Sequence, residues 1–114
     1  MVKINIFYEG ENIVGFKAEG HAGFARAGRD IYCAGVSAIT GTALIGLQMH
    51  LTRPPIYNEK DGWLECKLPP SLDAGDIKKA QLILSTMEAG LRSLEEVNPR
   101  YIKVTQGGAK HVQD

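Results

Sequence analysis

Apolar and polar positions alternate from the start of the chain. Val2, Ile4, Ile6 and Tyr8 fall on one side and Lys3, Asn5 and Phe7 on the other, the period-two signature of a strand. After the turn-forming Glu9-Gly10-Glu11-Asn12, Val14, Phe16 and Ala18 alternate again, which predicts a hairpin. Residues 20–28 place three glycines and three alanines around His21, Phe24 and Arg26, the composition of a mobile loop. The pattern then changes, because residues 31–51 contain no Asp, Glu, Lys or Arg. Asp30 is suited to cap a helix there, running to about His50 and stopped by Arg53-Pro54-Pro55. Ile56 and Tyr57 open a second hairpin turning at Asp61-Gly62, with Leu64, Cys66 and Leu68 on one side and Trp63, Glu65 and Lys67 on the other. Past Pro69-Pro70, Asp73 can cap a long helix in which Ile77, Ala80, Leu84, Met87, Leu91 and Leu94 recur at three- and four-residue spacing. Pro99 closes it, Tyr101 to Thr105 reads as a last strand, and Gln106-Gly107-Gly108 is expected to fray.

The resulting order, ββαββαβ, predicts an α+β fold: a five-stranded mixed or antiparallel sheet packed with two helices. A length of 114 residues at 44% hydrophobic composition suits one domain, here residues 1–106, with 107–114 as a flexible tail. The uncharged stretch after Asp30 raises the question of a membrane span. Ser37, Thr40, Thr42, Gln48 and His50 dilute it, so it reads as a buried helix of a soluble protein. Gly35, Gly41 and Gly46 lower its propensity but admit a close neighbour, a sheet or a second subunit. Thirteen basic and thirteen acidic side chains give zero formal net charge, which argues against direct binding of nucleic acid. No export signal is read at the N-terminus, and two cysteines make no disulfide framework, so the expected setting is a reducing cytoplasm.

Candidate chemistry gathers around one segment. A cysteine in an apolar helix is ordinarily inert packing, and mid-strand Cys66 is read that way. Cys33 differs by position. It follows a polar cap in the first helical turn, where unpaired N–H groups and the macrodipole favour negative charge, and the thiolate is the nucleophilic form. His21, between two small residues at a strand end, is an accessible candidate base, whereas His50 and His111 read as bystanders. Asp30 is first a cap and second a candidate orienter of His21. Ser37, four residues beyond Cys33, shares its helix face, although such a hydroxyl often bonds its own backbone. Neither Cys-x-x-Cys nor His-x-x-x-His spacing is present, so no metal or other cofactor is expected.

Gly20-His21-Ala22, then Asp30-Ile31, Cys33-Ala34 and Ser37, and later Arg53-Pro54-Pro55 and Ala80-Gln81-Leu82-Ile83-Leu84, resemble the ribosomal-processing cysteine protease family, Prp, over most of the chain. Two departures stand out: Tyr32 where a smaller aliphatic residue is usual, and Gly35 where Ala is common. The resemblance implies a dimeric cysteine endopeptidase. Its substrate would be the N-terminal extension of bacterial large-subunit ribosomal protein number twenty-seven, cut after an aromatic pair in support of ribosome assembly. From the residues themselves, Cys33 is the expected nucleophile and His21 the base, assisted by Asp30 or Ser37, with backbone N–H groups of the first helical turn around Cys33 meeting the oxyanion. The loop carrying Gly20, Ala22, Gly23, Phe24 and Gly28 would then order over the peptide, with Phe24 touching its aromatic residues. A noncatalytic ribosome-associated binding module is the alternative.

Overall fold

The computed structural model describes residues 1–26 and 29–108, so Gly28 and residues 109–114 lie outside the described residues. The elements are β1 (Val2–Glu9), β2 (Asn12–Glu19), α1 (Ile31–His50), β3 (Ile56–Lys60), β4 (Trp63–Lys67), α2 (Ala74–Val97) and β5 (Ile102–Gly108). The expected order ββαββαβ is the observed one. The strands form one mixed sheet in the order β3-β4-β2-β1-β5, in which only the β1–β5 pair is parallel.

Period-two alternation selects the buried face except near the register shift between Phe7 and Tyr8, where Phe7 is also buried and Ile13 rather than Val14 joins the core. Ile6, Phe16 and Cys66 lie opposite one another across β1, β2 and β4, and Ile4, Ala18 and Leu64 form the next row. Together with Ile102 and Val104 these side chains belong to one core, which α1 completes through Tyr32, Val36, Ala43, Leu44 and Leu47, and α2 through Ala80, Leu84, Met87 and Leu91. By length and composition alone α1 would suffice to cross a membrane. Here one side of it packs on the sheet and α2, while Ile31, Ile45 and Met49 are exposed, so the expected buried helix is buried only in part. Two of its glycines admit α2 side chains: a Cβ on Gly35 would stand 3.0 Å from Leu94 Cδ2, and one on Gly46 would meet Ile83 at 3.5 Å.

Three polar side chains of α2 tie it to the sheet, and none of them is visible in the apolar stripe. The Gln81 amide accepts from Ile13 N–H at 2.6 Å and donates to Ile13 C=O at 2.9 Å, next to the register shift between Phe7 and Tyr8. Glu88 accepts from Tyr8 Oη, from Arg92 Nε at 3.0 Å and from Gln106 Nε2 at 3.1 Å. Burial pushes the Tyr8 hydroxyl up to about 12, and its bond to Glu88 adds to this. Burial opposes the charge on Glu88, yet the bonds from Tyr8, Gln106 and Arg92 prevail and hold its carboxyl below the usual range. Glu95 accepts from Val104 N–H of edge strand β5 at 2.8 Å.

The expected end of β5 is corrected by these contacts. Parallel pairing with β1 continues from Val2↔Ile102 through Tyr8↔Gly108, so Gln106, Gly107 and Gly108 are strand residues. Low intrinsic β propensity at two glycines is outweighed by a full ladder to β1 and by the Gln106 bond to Glu88.

Candidate active site

The sheet order brings three segments to one place. β2 ends at Glu19 beside the β3–β4 turn, and Gly20 N–H donates to Gly62 C=O at 2.9 Å. The first turn of α1 closes the third side. Between them lies a cavity of about 380 Å³ whose lining includes His21, Asp30, Cys33, Ser37, Gly62 and Trp63. The predicted base and the predicted nucleophile thus share one cavity.

Cys33 is half-buried and has no disulfide partner. Its Sγ accepts a hydrogen bond of 3.1 Å from the main-chain N–H of Ala22, the residue after His21. Asp30 caps α1 as expected. Its Oδ1 accepts from Tyr32 N–H at 3.0 Å and Cys33 N–H at 3.1 Å, and its Oδ2 accepts from Phe24 N–H at 3.0 Å and Ala25 N–H at 3.4 Å. One carboxylate therefore fastens both the helix start and the loop that carries His21. Burial opposes charge on Asp30, but the N–H groups of Cys33, Ala25, Phe24 and Tyr32 overcome it and hold the carboxyl below its ordinary 3.8.

Two expectations change as a result. Asp30 does not orient His21, because both its oxygens are engaged by main-chain donors. The donors around Cys33 are not free: Tyr32 and Cys33 N–H are held by the cap, and Ala34 N–H donates to the Asp30 carbonyl at 3.1 Å. Phe24 is exposed at the surface and also has ring partners within the fold. It packs edge-on against Tyr32 at 5.1 Å and against Tyr101 at 5.4 Å, while Tyr32 and Tyr101 stack at 5.3 Å. Tyr32, the unusual aromatic at its position, makes this box possible. Ser37 is exposed on the cavity wall and makes no side-chain hydrogen bond among the described residues. Gly23 is exposed and turns the loop with φ +77°.

In the sequence Gly62 reads only as a turn residue, but it lines the cavity beside His21. Its φ is +69°, and a Cβ built on it would stand 2.7 Å from Nε2 and 3.1 Å from Cε1 of His21. The β3–β4 turn is thus pressed against the imidazole, and its Asp-Gly pattern was the available signal. Beside it, Lys60 Nζ lies 5.0 Å from the centre of the Trp63 ring. Cys66, by contrast, is 1% exposed in the core, and burial pushes its thiol up to about 12. Among the described residues no three His, Cys, Asp or Glu side chains gather as a metal-holding group.

A small α+β domain that sets a thiol in the first turn of a helix, in one cavity with an imidazole, has the makeup of a cysteine peptidase. The chain belongs to the cysteine protease Prp family, whose model matches residues 1–103. It is 32% identical over 97 residues to the ribosomal processing cysteine protease Prp of Bacillus subtilis, covering 83% of this chain and 87% of that one. To the Staphylococcus aureus protein of the same name it is 39% identical over 82 residues, 68% of this chain and 72% of that one. The fold matches the crystal structure of the S. aureus ribosomal processing protease Prp with a covalently linked product peptide at a TM-score of 0.82 and 25% identity, covering 94% of this chain and all of that one. It also matches SMU.848 from Streptococcus mutans at a TM-score of 0.74 and 24% identity, over 94% of this chain and 96% of that one.

Proposed function

We propose that the protein removes the N-terminal extension of large-subunit ribosomal protein number twenty-seven in the cytoplasm, with Cys33 as nucleophile and His21 as general base. The carrying observation is the hydrogen bond from Ala22 N–H to Cys33 Sγ, which holds the segment of the imidazole against the sulfur. Family membership supports the reaction class, and the S. aureus relative crystallised with a substrate peptide supports a peptide ligand. His21 takes the thiol proton, and the Cys33 thiolate attacks the scissile carbonyl. The proton then goes to the leaving amine, and water, deprotonated by His21, releases the acyl group.

The working unit is a homodimer. A groove of about 670 Å³ between α1 and α2, lined largely by Ala38, Ile39, Ala43, Ile83 and Met87, and the exposed Ile45, Met49 and Leu82 support an apolar contact between copies. Light scattering after gel filtration reads the mass directly.

The test of the main reading is incubation with a peptide copying the extension, followed by mass spectrometry, with Cys33→Ala and His21→Ala alongside. Cleavage by the wild type alone, with both variants still binding the peptide, supports the enzyme. Binding without cleavage by the wild type would favour a noncatalytic module.

A further inference from the structure

Negative charge that develops on a reacting carbonyl needs a preplaced donor, and in α1 the N–H groups of Cys33 and of its two chain neighbours are already committed. Tyr32 and Cys33 N–H are spent on Asp30 Oδ1 and Ala34 N–H on the Asp30 carbonyl. The donor that does face the sulfur comes from the buried residue next to His21. Ala22 N–H points at Cys33 Sγ from 3.1 Å, and Ala22 is itself only 3% exposed. The chain is held on both sides of it. Gly20 N–H is bonded to Gly62 C=O, the Met1 ammonium donates to the His21 carbonyl at 2.6 Å, and Phe24 and Ala25 N–H are bonded to Asp30 Oδ2.

We propose that the main-chain N–H of Ala22 is the oxyanion donor of this site; the inference rests on Cys33 being the nucleophile. As the sulfur lone pair forms the S–C bond, the carbonyl π pair moves onto oxygen, so the negative charge passes from sulfur to an atom two bonds away. A donor already aimed at the thiolate meets the new oxyanion with a small change of direction and no recruitment of solvent. When the tetrahedral species collapses, the π bond re-forms and the C–N bond breaks. The leaving nitrogen keeps that electron pair and takes the proton from His21. The loop therefore delivers the base and the oxyanion donor on consecutive residues, and the helix delivers only the sulfur. A donor serving the ground-state thiolate alone would behave differently: its removal would slow cleavage only as far as it reduced the thiolate.

The two roles separate if Ala22 is replaced by lactic acid during translation, which turns its amide into an ester and removes the N–H with the methyl group kept. Iodoacetamide alkylation of Cys33 across pH reports the thiolate without any oxyanion. A peptide aldehyde copying the extension up to the cleavage site reports the tetrahedral oxygen through its hemithioacetal. Expected are a fall in kcat/KM and a rise in the aldehyde Ki of about 100-fold each, beyond any change in alkylation rate. Cleavage and Ki that change only in step with alkylation would overturn the assignment. A wild type that neither cleaves the peptide nor binds the aldehyde would instead overturn the function itself. Should the ester variant not fold, selective 15N-alanine labelling of the wild type decides. The Ala22 amide proton should shift downfield in the aldehyde adduct relative to the alkylated protein, and an equal position in both would refute the role.

Discussion

Gly62 lies against the imidazole of His21, so close that a Cβ on it would stand 2.7 Å from Nε2. Gly62→Ala should therefore displace the base, and it also forces alanine into φ +69° at a cost of about 1 kcal/mol. Gly10→Ala is the matched control. Gly10 sits in the other hairpin turn at φ +63° with nothing within 4 Å of a built Cβ. The two variants should lose similar stability in thermal melts, while only Gly62→Ala loses cleavage, by tenfold or more on the scale of a misplaced catalytic group (roughly 100-fold). Equal activity in both would show that the turn does not position the ring.

Asp30 joins two tasks that substitution can divide. Asp30→Asn can keep its carbonyl oxygen toward Tyr32 and Cys33 N–H, but its amide then faces the N–H groups of Phe24 and Ala25. It should retain the helix cap and release the loop, lowering kcat more than stability. Asp30→Ala loses both and should cost about 1–2 kcal/mol in denaturant unfolding.

The pH dependence of the same residue has a definite sign. Its folded-state value lies below the ordinary 3.8, so its stabilisation is complete above that value and is lost as pH falls through the lower folded one. The Tm difference between wild type and Asp30→Asn should be constant from about pH 5 upward and shrink below pH 3.8. A difference that grows on acidification would contradict the hydrogen-bond account.

The two cysteines should separate chemically. Buried Cys66, with its thiol near 12, should resist iodoacetamide at pH 8 in the folded protein, and half-buried Cys33 should be the residue labelled. Peptide mapping after brief alkylation, with a urea-unfolded sample as reference, reads the sites. Labelling of Cys66 at a similar rate would mean that the β4 face opens in solution.

The aromatic box predicts a kinetic split. If Phe24 secures the loop through Tyr32 and Tyr101, Phe24→Ala should lower kcat with KM little changed, and it should cost about 1 kcal/mol of packing. A ring that contacts the substrate would give the reverse, a raised KM at nearly constant kcat.

Local periodicity was enough for much of this protein. Alternation in β1, β2 and β4, the caps Asp30 and Asp73, and the apolar stripe of α2 are short-range signals, and each element appears where its pattern places it. The placement of Cys33 in a first turn and of Cys66 on the inward face came from the same rules. Where the reading fell short, a distant partner decided. Gln106 to Gly108 read as a fraying end because their ladder partners lie about a hundred positions earlier in β1. Asp30 was legible as a cap, but its second oxygen meets a loop that no local rule folds back.

Along the chain, chemical type and spacing determined which residues could react and which faces would be buried, because helix and strand periods are properties of the backbone itself. The tertiary structure alone decided that the β3–β4 turn presses on His21 and that Ala22 rather than the helix N-terminus offers its N–H to the sulfur. Those contacts depend on the sheet order β3-β4-β2-β1-β5 and on which donors the cap had already consumed. Pairing order is settled between strands remote in sequence, and the contact of Ala22 with Cys33 by how the loop between them folds back, so no local period carries either.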